Sequence, residues 1–349
     1  MSCSFGEKFR ITIFGQSHSE MTGVVIDGIP AGVKLDTQKI EKFMSRRAPK
    51  KTDYSTARNE KDFFEIVSGV VDGITCGAPL CALIKNTDAH SADYEKLKQI
   101  PRPSHADFAA YMKHNGFNDI RGGGNFSGRM TAPLCFAGAV AKQLLSEKGI
   151  EIGAHILRIG TVCDKNFDGV NVSASDFSEE DFPVLDEAKK EKLFGVISAA
   201  ASEKDSVGGE IECAVVGLPA GIGEPMFDGI ENTVSRAVFA VPAVKGIEFG
   251  STKDYASENN DPFVSDGENI KTETNNHGGI LGGLSSGMPV IFKVLIKPAP
   301  SIGQPQKTVN LETKTETELV IEGRHDACIV PRAVPCIEAA AAIAIINLL

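Results

Sequence analysis

The chain has 349 residues, 42% of them hydrophobic and 23% charged, which are ordinary values for a water-soluble globular protein able to bury a large core. Its formal charge of −10 argues against nucleic acid or an anionic membrane as the main partner. The N-terminal MSCSFGEKFRITIFG lacks the basic-then-apolar pattern of a secretion signal, and the eight cysteines form no CxxC pair, so a reducing cytoplasm is expected and neither a disulfide frame nor a zinc site.

In chain order, FRITIFG (9–15) alternates as a strand and GVVIDGIP (23–30) reads as a second. DTQKIEKFMSRRAP (36–49) is a helix with Asp36 as N-cap and Pro49 as its stop. EIVSGVVDG and PLCALIKN read as strands around a turn near Gly77–Pro79, and helices follow at about 104–115 and 128–147. EIGAHILRIGTV is a strand, 164–190 an acidic surface region, and DEAKKEKLFGVISAAASEKD a helix. GGEIECAVVGLPAG is a strand, and FDGIENTVSRAVFAV a helix ending at Pro242. Residues 250–278 read as a long loop, followed by strand-like PVIFKVLIK and ELVIEG. The C-terminal CIEAAAAIAIINLL, 14 residues containing Glu338 and Asn347, is too short and polar for a membrane span and reads as a buried helix.

No stretch has the composition of a linker, so 1–349 is expected to be a single domain. Strands come in hairpin-like groups followed by helices, an α+β pattern. The halves repeat a loose order of strands, helix, strands, helix. That leaves an internal pseudo-repeat open, with no sequence identity to support it.

Chemistry concentrates in a few segments. Of 36 basic residues only 11 are Arg, and seven of these (46, 47, 102, 121, 129, 324, 332) fall in loops or at helix ends. Arg is preferred where a planar fork must hold carboxylate or phosphate, which points to a small anionic ligand. RGGGNFSGR (121–129) feeds a helix and suits anion or cofactor binding through backbone N–H groups, but it is neither a Walker A loop nor a GxGxxG fingerprint. FGQSHSE (14–20) offers His18 beside Ser17 as a general acid. RPSHAD (102–107) reads as a capping box on Ser104 and Asp107 that also presents His105. IKPAPSIGQPQ is a stiff loop carrying a cation, and GRHDACIVPRAVP places Arg324, His325, Asp326 and Arg332 just after a strand. No HxH or HExxH spacing supports a metal site.

Taken together, FGQSHSE, RRAP, RPSHAD, RGGGNFSGR, GLPAGIGEPMFD, AVKGIEFG, NNHGGILGGLSSG and GRHDACIVPRAVP occur in an order that resembles the chorismate synthase family, from about residue 5 to the C-terminus. The resemblance implies a sandwich of helices packed between antiparallel sheets, assembled as a homotetramer. It implies a carbon–oxygen lyase that eliminates phosphate from 5-enolpyruvylshikimate 3-phosphate to give chorismate. It further implies dependence on reduced FMN, supplied by a separate NAD(P)H-dependent donor. By position, His18 matches the acid for the departing phosphate, His105 the acid for reduced flavin and Asp326 an aspartate near flavin N5. Ser17 and Ser127 match proton-relay serines. Asn125, Phe126, Ser127, Pro242, Ala243, Gly282, Lys297, Pro298, Ala299, Pro300, Ser301 and Arg324 match flavin-contact positions, and Arg47 and Arg129 match substrate contacts.

The chain departs from the family pattern at several points. GESHG is GQSHS here, RSS is NFS, and KPTSS is KPAPS. RRxPGQGR is RRAPKKTD, which puts Asp53 where a cation is expected, so Lys50 or Lys51 is expected to supply the missing charge to the substrate. Two other classes fit parts of the pattern: a phosphatase acting on similar anions, and a non-catalytic flavin- or anion-binding protein.

Overall fold

The computed structural model describes residues 3–50, 61–87, 99–265, 267–321 and 326–349. Its framework is two five-stranded sheets whose neighbouring strands all run antiparallel. The first orders its strands Ser4–Phe5, Arg10–Gly15, Met21–Asp27, Leu80–Lys85, Phe64–Ser68. The second runs Val244–Phe249, Val290–Ile296, Gly209–Val216, Glu151–Ile159, Val162–Cys163. Among the described residues seven α-helices accompany them: α1 (Thr37–Arg47), α2 (Asp107–Lys113), α3 (Thr131–Ser146), α4 (Lys190–Ser202), α5 (Ile230–Val238), α6 (Ala256–Asn259) and α7 (Val330–Leu348). α3 packs on the first sheet, α7 on the second, and the two helices pack on each other, which makes the expected sandwich.

The α1 boundary follows from local chemistry, since the Asp36 side chain accepts from the Lys39 amide at 3.0 Å. α3 and α7 owe their closeness to small residues. A Cβ on Gly138 would lie 2.2 Å from the Ala339 Cβ, so only glycine lets the helices approach this far. α7 starts earlier than its sequence suggests, at Val330, and takes in Pro331 and Pro335. Its 19 residues are long and apolar enough to cross a membrane, yet nearly all are buried inside the protein.

The pseudo-repeat is plain in the topology. Without the short outermost strands Ser4–Phe5 and Val162–Cys163, both sheets order their strands first, second, fourth, third. α1 and α5 each follow the second strand, and α3 and α7 each follow the fourth. A local sequence match also emerges, between GVVDGITCGAP (69–79) and GILGGLSSGMP (279–289). Both form a two-strand ribbon, Val70–Val71 with Ile74–Thr75 and Ile280–Leu281 with Leu284–Ser285. Both ribbons turn on two left-handed residues, Asp72–Gly73 (φ 52° and 79°) and Gly282–Gly283 (φ 64° and 88°), the geometry of a tight hairpin.

Some segments differ from the sequence reading. Residues 250–278 are no bare loop, because they hold α6 and the ribbon Phe263–Ser265 with Ile270–Thr272. The edge strand Val244–Phe249 is an addition. Three cysteines, Cys3, Cys76 and Cys163, are exposed rather than in the core.

The 164–190 region is not simply surface. Phe167 and Val172 make a small second core with Ala214 and Ile291 on the outer side of the second sheet. The buried His155 pins this segment: Nε2 lies 3.0 Å from Glu212 and Nδ1 3.4 Å from Asp164. Those carboxylates in turn accept from the Phe167 and Leu185 amides, each at 2.6 Å. Burial alone would lower the imidazole pKa, but its hydrogen bonds to both carboxylates outweigh that and hold the value above its usual level. A raised folded value contributes stability below the unfolded pKa of about 6.5 and loses it as pH rises through the folded value. We therefore expect the Phe167 and Leu185 amides to lose hydrogen-exchange protection, after correction for intrinsic rates, as pH rises above about 6.5. Constant protection over that rise would contradict an imidazolium lock.

Candidate active site

The glycine run explains itself once its neighbours are seen. Gly122, Gly123 and Gly124 all have positive φ (58°, 85° and 53°), a backbone that residues with side chains rarely adopt. A Cβ at Gly122 would lie 2.4 Å from Ser17 Oγ and from His18 Cε1, and one at Gly123 would lie 3.1 Å from His105 Nε2. The run is a thin wedge with the two candidate acids on either side. The Ser17 amide donates to the Gly124 carbonyl at 3.2 Å, and Ser127 Oγ donates to Ser17 Oγ at 3.3 Å, which ties FGQSHSE to the wedge. Arg121 grips Asp119 at 2.9 Å. Its hydrogen bond is the main cause holding the Asp119 carboxyl below the usual range, with His18 adding a smaller pull.

RPSHAD does not form the expected capping box. Ser104 has φ 58°, α2 begins at Asp107, and no side chain caps it. Asp107 turns back instead. Its Oδ2 accepts from Arg102 Nε at 2.7 Å, and its Oδ1 lies 2.6 Å from His105 Nδ1. Burial would raise the Asp107 carboxyl, but Arg102 and then His105 outweigh it and hold it far below the usual carboxylate range.

A second group gathers at the end of α1 and the start of α3. The Arg47 and Arg129 guanidiniums, 3% and 6% exposed, share one buried carboxylate, Asp62. Arg47 Nε is 2.7 Å from it, and Arg129 also donates to Asn86 Oδ1 at 2.8 Å. Arg332 joins the group, donating to the Arg47 carbonyl at 3.0 Å and to Asp326 at 2.6 Å. Three guanidiniums thus face two carboxylates, and the local balance is positive in an acidic protein. Lys50 pairs with Asp181 at 2.5 Å, so its charge already has a counter-ion. Lys51, Asp53, Arg324 and His325 lie outside the described residues.

The second half of the chain reaches the same place through one loop. Lys297 Nζ donates to the Ser104 carbonyl, and Arg102 donates to Ser301 Oγ at 3.5 Å. The Lys297 amide donates to the carbonyl of Ala243, itself left-handed at φ 73°. The loop in between is fastened as well, since the Ala299 carbonyl accepts from Ser206 at 2.6 Å. Burial and then the charge of Lys245 push the Lys297 ammonium pKa down. Gly282 sits apart from this group. Its ribbon meets the start of α5, where the Ile230 amide donates to the Gly283 carbonyl at 2.9 Å, whereas Pro242–Ala243 follow the other end of that helix, roughly 13 Å along it.

Sequence reasoning missed Asp62, Asn86 and the roles of Arg102, Asp107 and Arg332 as partners. For Asp62 and Asn86 no sequence signal exists. For the trio Arg102, His105 and Asp107 the signal lies in one hexapeptide, which presents His105 but whose Ser104–Asp107 spacing equally fits a helix cap.

Comparison with known proteins places this arrangement. The family model described as chorismate synthase matches residues 9–349. The chain belongs to the chorismate synthase family. It is 45% identical to the chorismate synthase of Dehalococcoides mccartyi, across 100% of this chain and 96% of that one. Against the chorismate synthase of Korarchaeum cryptofilum the identity is 41%, over 96% and 93%. A crystal structure of a chorismate synthase superposes with a TM-score of 0.75 at 26% identity, covering 99% of this chain and 92% of the other. The chorismate synthase reaction is a lyase reaction, elimination of phosphate from 5-enolpyruvylshikimate 3-phosphate to form chorismate, and its substrate is a small polyanion.

Proposed function

We propose that the chain carries out this elimination with reduced FMN bound against the glycine wedge, His18 and His105 acting as its two acids. The observation that carries the reading is the wedge itself, where Gly122 and Gly123 bring two histidines from separate motifs to one thin loop. The residues present fit a flavin: Asn125–Ser127 continue the wedge, and Pro242–Ala243 and Lys297–Ser301 are hydrogen-bonded to each other or to RPSHAD, while Gly282 stands apart from them. When bound, reduced FMN supplies an electron-rich ring that stabilises positive character on the substrate as the carbon–oxygen bond breaks.

His18 donates a proton to the departing phosphate, with Ser17 and Ser127 relaying protons to it. Arg47 and Arg129 hold the substrate's anionic groups, Asp62 keeping the two side by side. His105 would hold the proton that faces the flavin, and Asp326, paired with Arg332, would border the same ring. A separate NAD(P)H-dependent donor reduces the flavin, the enzyme works in the cytoplasm, and it assembles as a homotetramer, for which the exposed Phe117, Met226 and Phe227 are suitable contact residues. Anaerobic incubation of 5-enolpyruvylshikimate 3-phosphate with the protein should give chorismate absorbance with dithionite-reduced FMN and none without it. Phosphate release without chorismate would identify a phosphatase instead.

A further inference from the structure

We propose that Asp107 is a positioning residue for His105, fixing the neutral imidazole as the Nδ1–H tautomer so that Nε2 is the nitrogen that exchanges protons. The inference rests on the reading of His105 as a proton carrier, but the structural part stands on geometry alone. Asp107 is buried and gripped by Arg102 three times, through Nε at 2.7 Å, NH2 at 2.8 Å and the backbone amide at 3.0 Å. A carboxylate so surrounded by donors only accepts. The 2.6 Å contact between its Oδ1 and His105 Nδ1 therefore needs the proton on Nδ1.

The Arg102 NH2 also lies 3.1 Å from Nδ1, and a guanidinium never accepts. Two donors then face each other, and both resolve onto Asp107, which accepts from each. Nε2 is left on the far edge of the ring, toward Gly123, where even a Cβ would come within 3.1 Å. The segment is held in this pose from outside. Left-handed Ser104 turns the chain, Lys297 donates to its carbonyl, and Arg102 NH1 reaches Ser301 at 3.5 Å. Arg102 and Asp107 thus serve the histidine as a frame, in the way a triad aspartate sets the tautomer of its histidine.

The test is ¹⁵N NMR of the flavin-free full chain labelled in histidine, read on the neutral imidazole. The expected signature is a protonated Nδ1 and a pyridine-like Nε2 in the wild type. In Asp107→Asn the amide keeps its oxygen for Arg102 and turns its NH2 toward Nδ1, so the signature should move toward Nε2–H. Turnover in that variant should fall by roughly 10²–10⁴-fold, and Asp107→Glu should restore part of it. An Nε2–H signal in the wild type, or an unchanged tautomer in a folded Asp107→Asn, overturns the proposal. If that variant does not fold, the wild-type spectrum decides alone. Near-normal turnover in His105→Ala would instead sink the reading beneath the proposal, with the tautomer signal still in place.

Discussion

Alanine at His18 or at His105 lowers turnover by roughly 10²–10⁴-fold each, while the protein stays folded. Neither histidine belongs to the hydrophobic core and both are only half-buried, so the loss falls on chemistry and not on stability. The wedge makes a companion test available. Gly122→Ala leaves both histidines in the chain but places a methyl 2.4 Å from Ser17 Oγ and His18 Cε1, on a backbone with φ 58°. Something must shift, and His18 is what borders the methyl. Gly122→Ala is expected to resemble His18→Ala in its turnover, measured at saturating substrate and reduced FMN. Wild-type turnover in a histidine variant would remove that residue from the acid role, and wild-type turnover in Gly122→Ala would show that the wedge tolerates displacement.

The largest stability effect is expected at Glu338, in the middle of α7. Its carboxylate is 1% exposed and lies 2.8 Å from Arg46 and 2.5 Å from Lys142, so it joins α7 to α1 and α3. Glu338→Ala leaves two cations facing a cavity. Breaking a buried pair this way costs about 3–5 kcal/mol, enough to erase much of a typical domain's stability. The sign with pH follows from the same geometry. Burial pushes the Glu338 carboxyl up, but Arg46 and Lys142 outweigh it and hold the carboxyl below its ordinary value. Its contribution is therefore present above about pH 4.3 and is lost as pH falls through the lower folded value. Denaturant midpoints should drop sharply for Glu338→Ala at neutral pH, and the gap between variant and wild type should narrow in acid. A gap that is small at pH 7, or that widens in acid, would mean the ion pairs contribute little.

How much of this was legible depended on whether the signal was local. Asp36, the alternation in FRITIFG and the apolar run after Thr131 each act within one element, and the elements lie where those patterns put them. The glycine run announced a close approach, and it is one, although only the fold reveals that histidines do the approaching. Val244–Phe249 was hidden because it is an edge strand with Gly246 at a register shift, so no clean alternation marks it. The start of α7 was hidden by two prolines: Pro331 sits in the first turn, where a helix accepts it, but Pro335 lies inside the helix, where proline normally ends one. Ser104 and Asp107 have the spacing of a cap, yet Arg102 competes for the carboxylate and wins. Asp62 was illegible on any local rule. Its partners Arg47 and Arg129 lie 15 and 67 positions away and meet it only in the folded chain.

The close embrace of α3 and α7 bears on how the chain is made. Every residue of α3 from Thr131 to Ala141 is buried, and α7 supplies much of the cover. In chain order α7 comes after the whole second sheet, so the ribosome emits α3 long before its cover exists. During that interval the first sheet is complete but one flank of its helix is bare and greasy, the kind of surface that sticks to other nascent chains. Pairings between residues so distant in sequence also close slowly. The protein should therefore lean on chaperones during synthesis, and chains stalled before α7 should go to aggregates or proteases rather than persist as stable half-molecules.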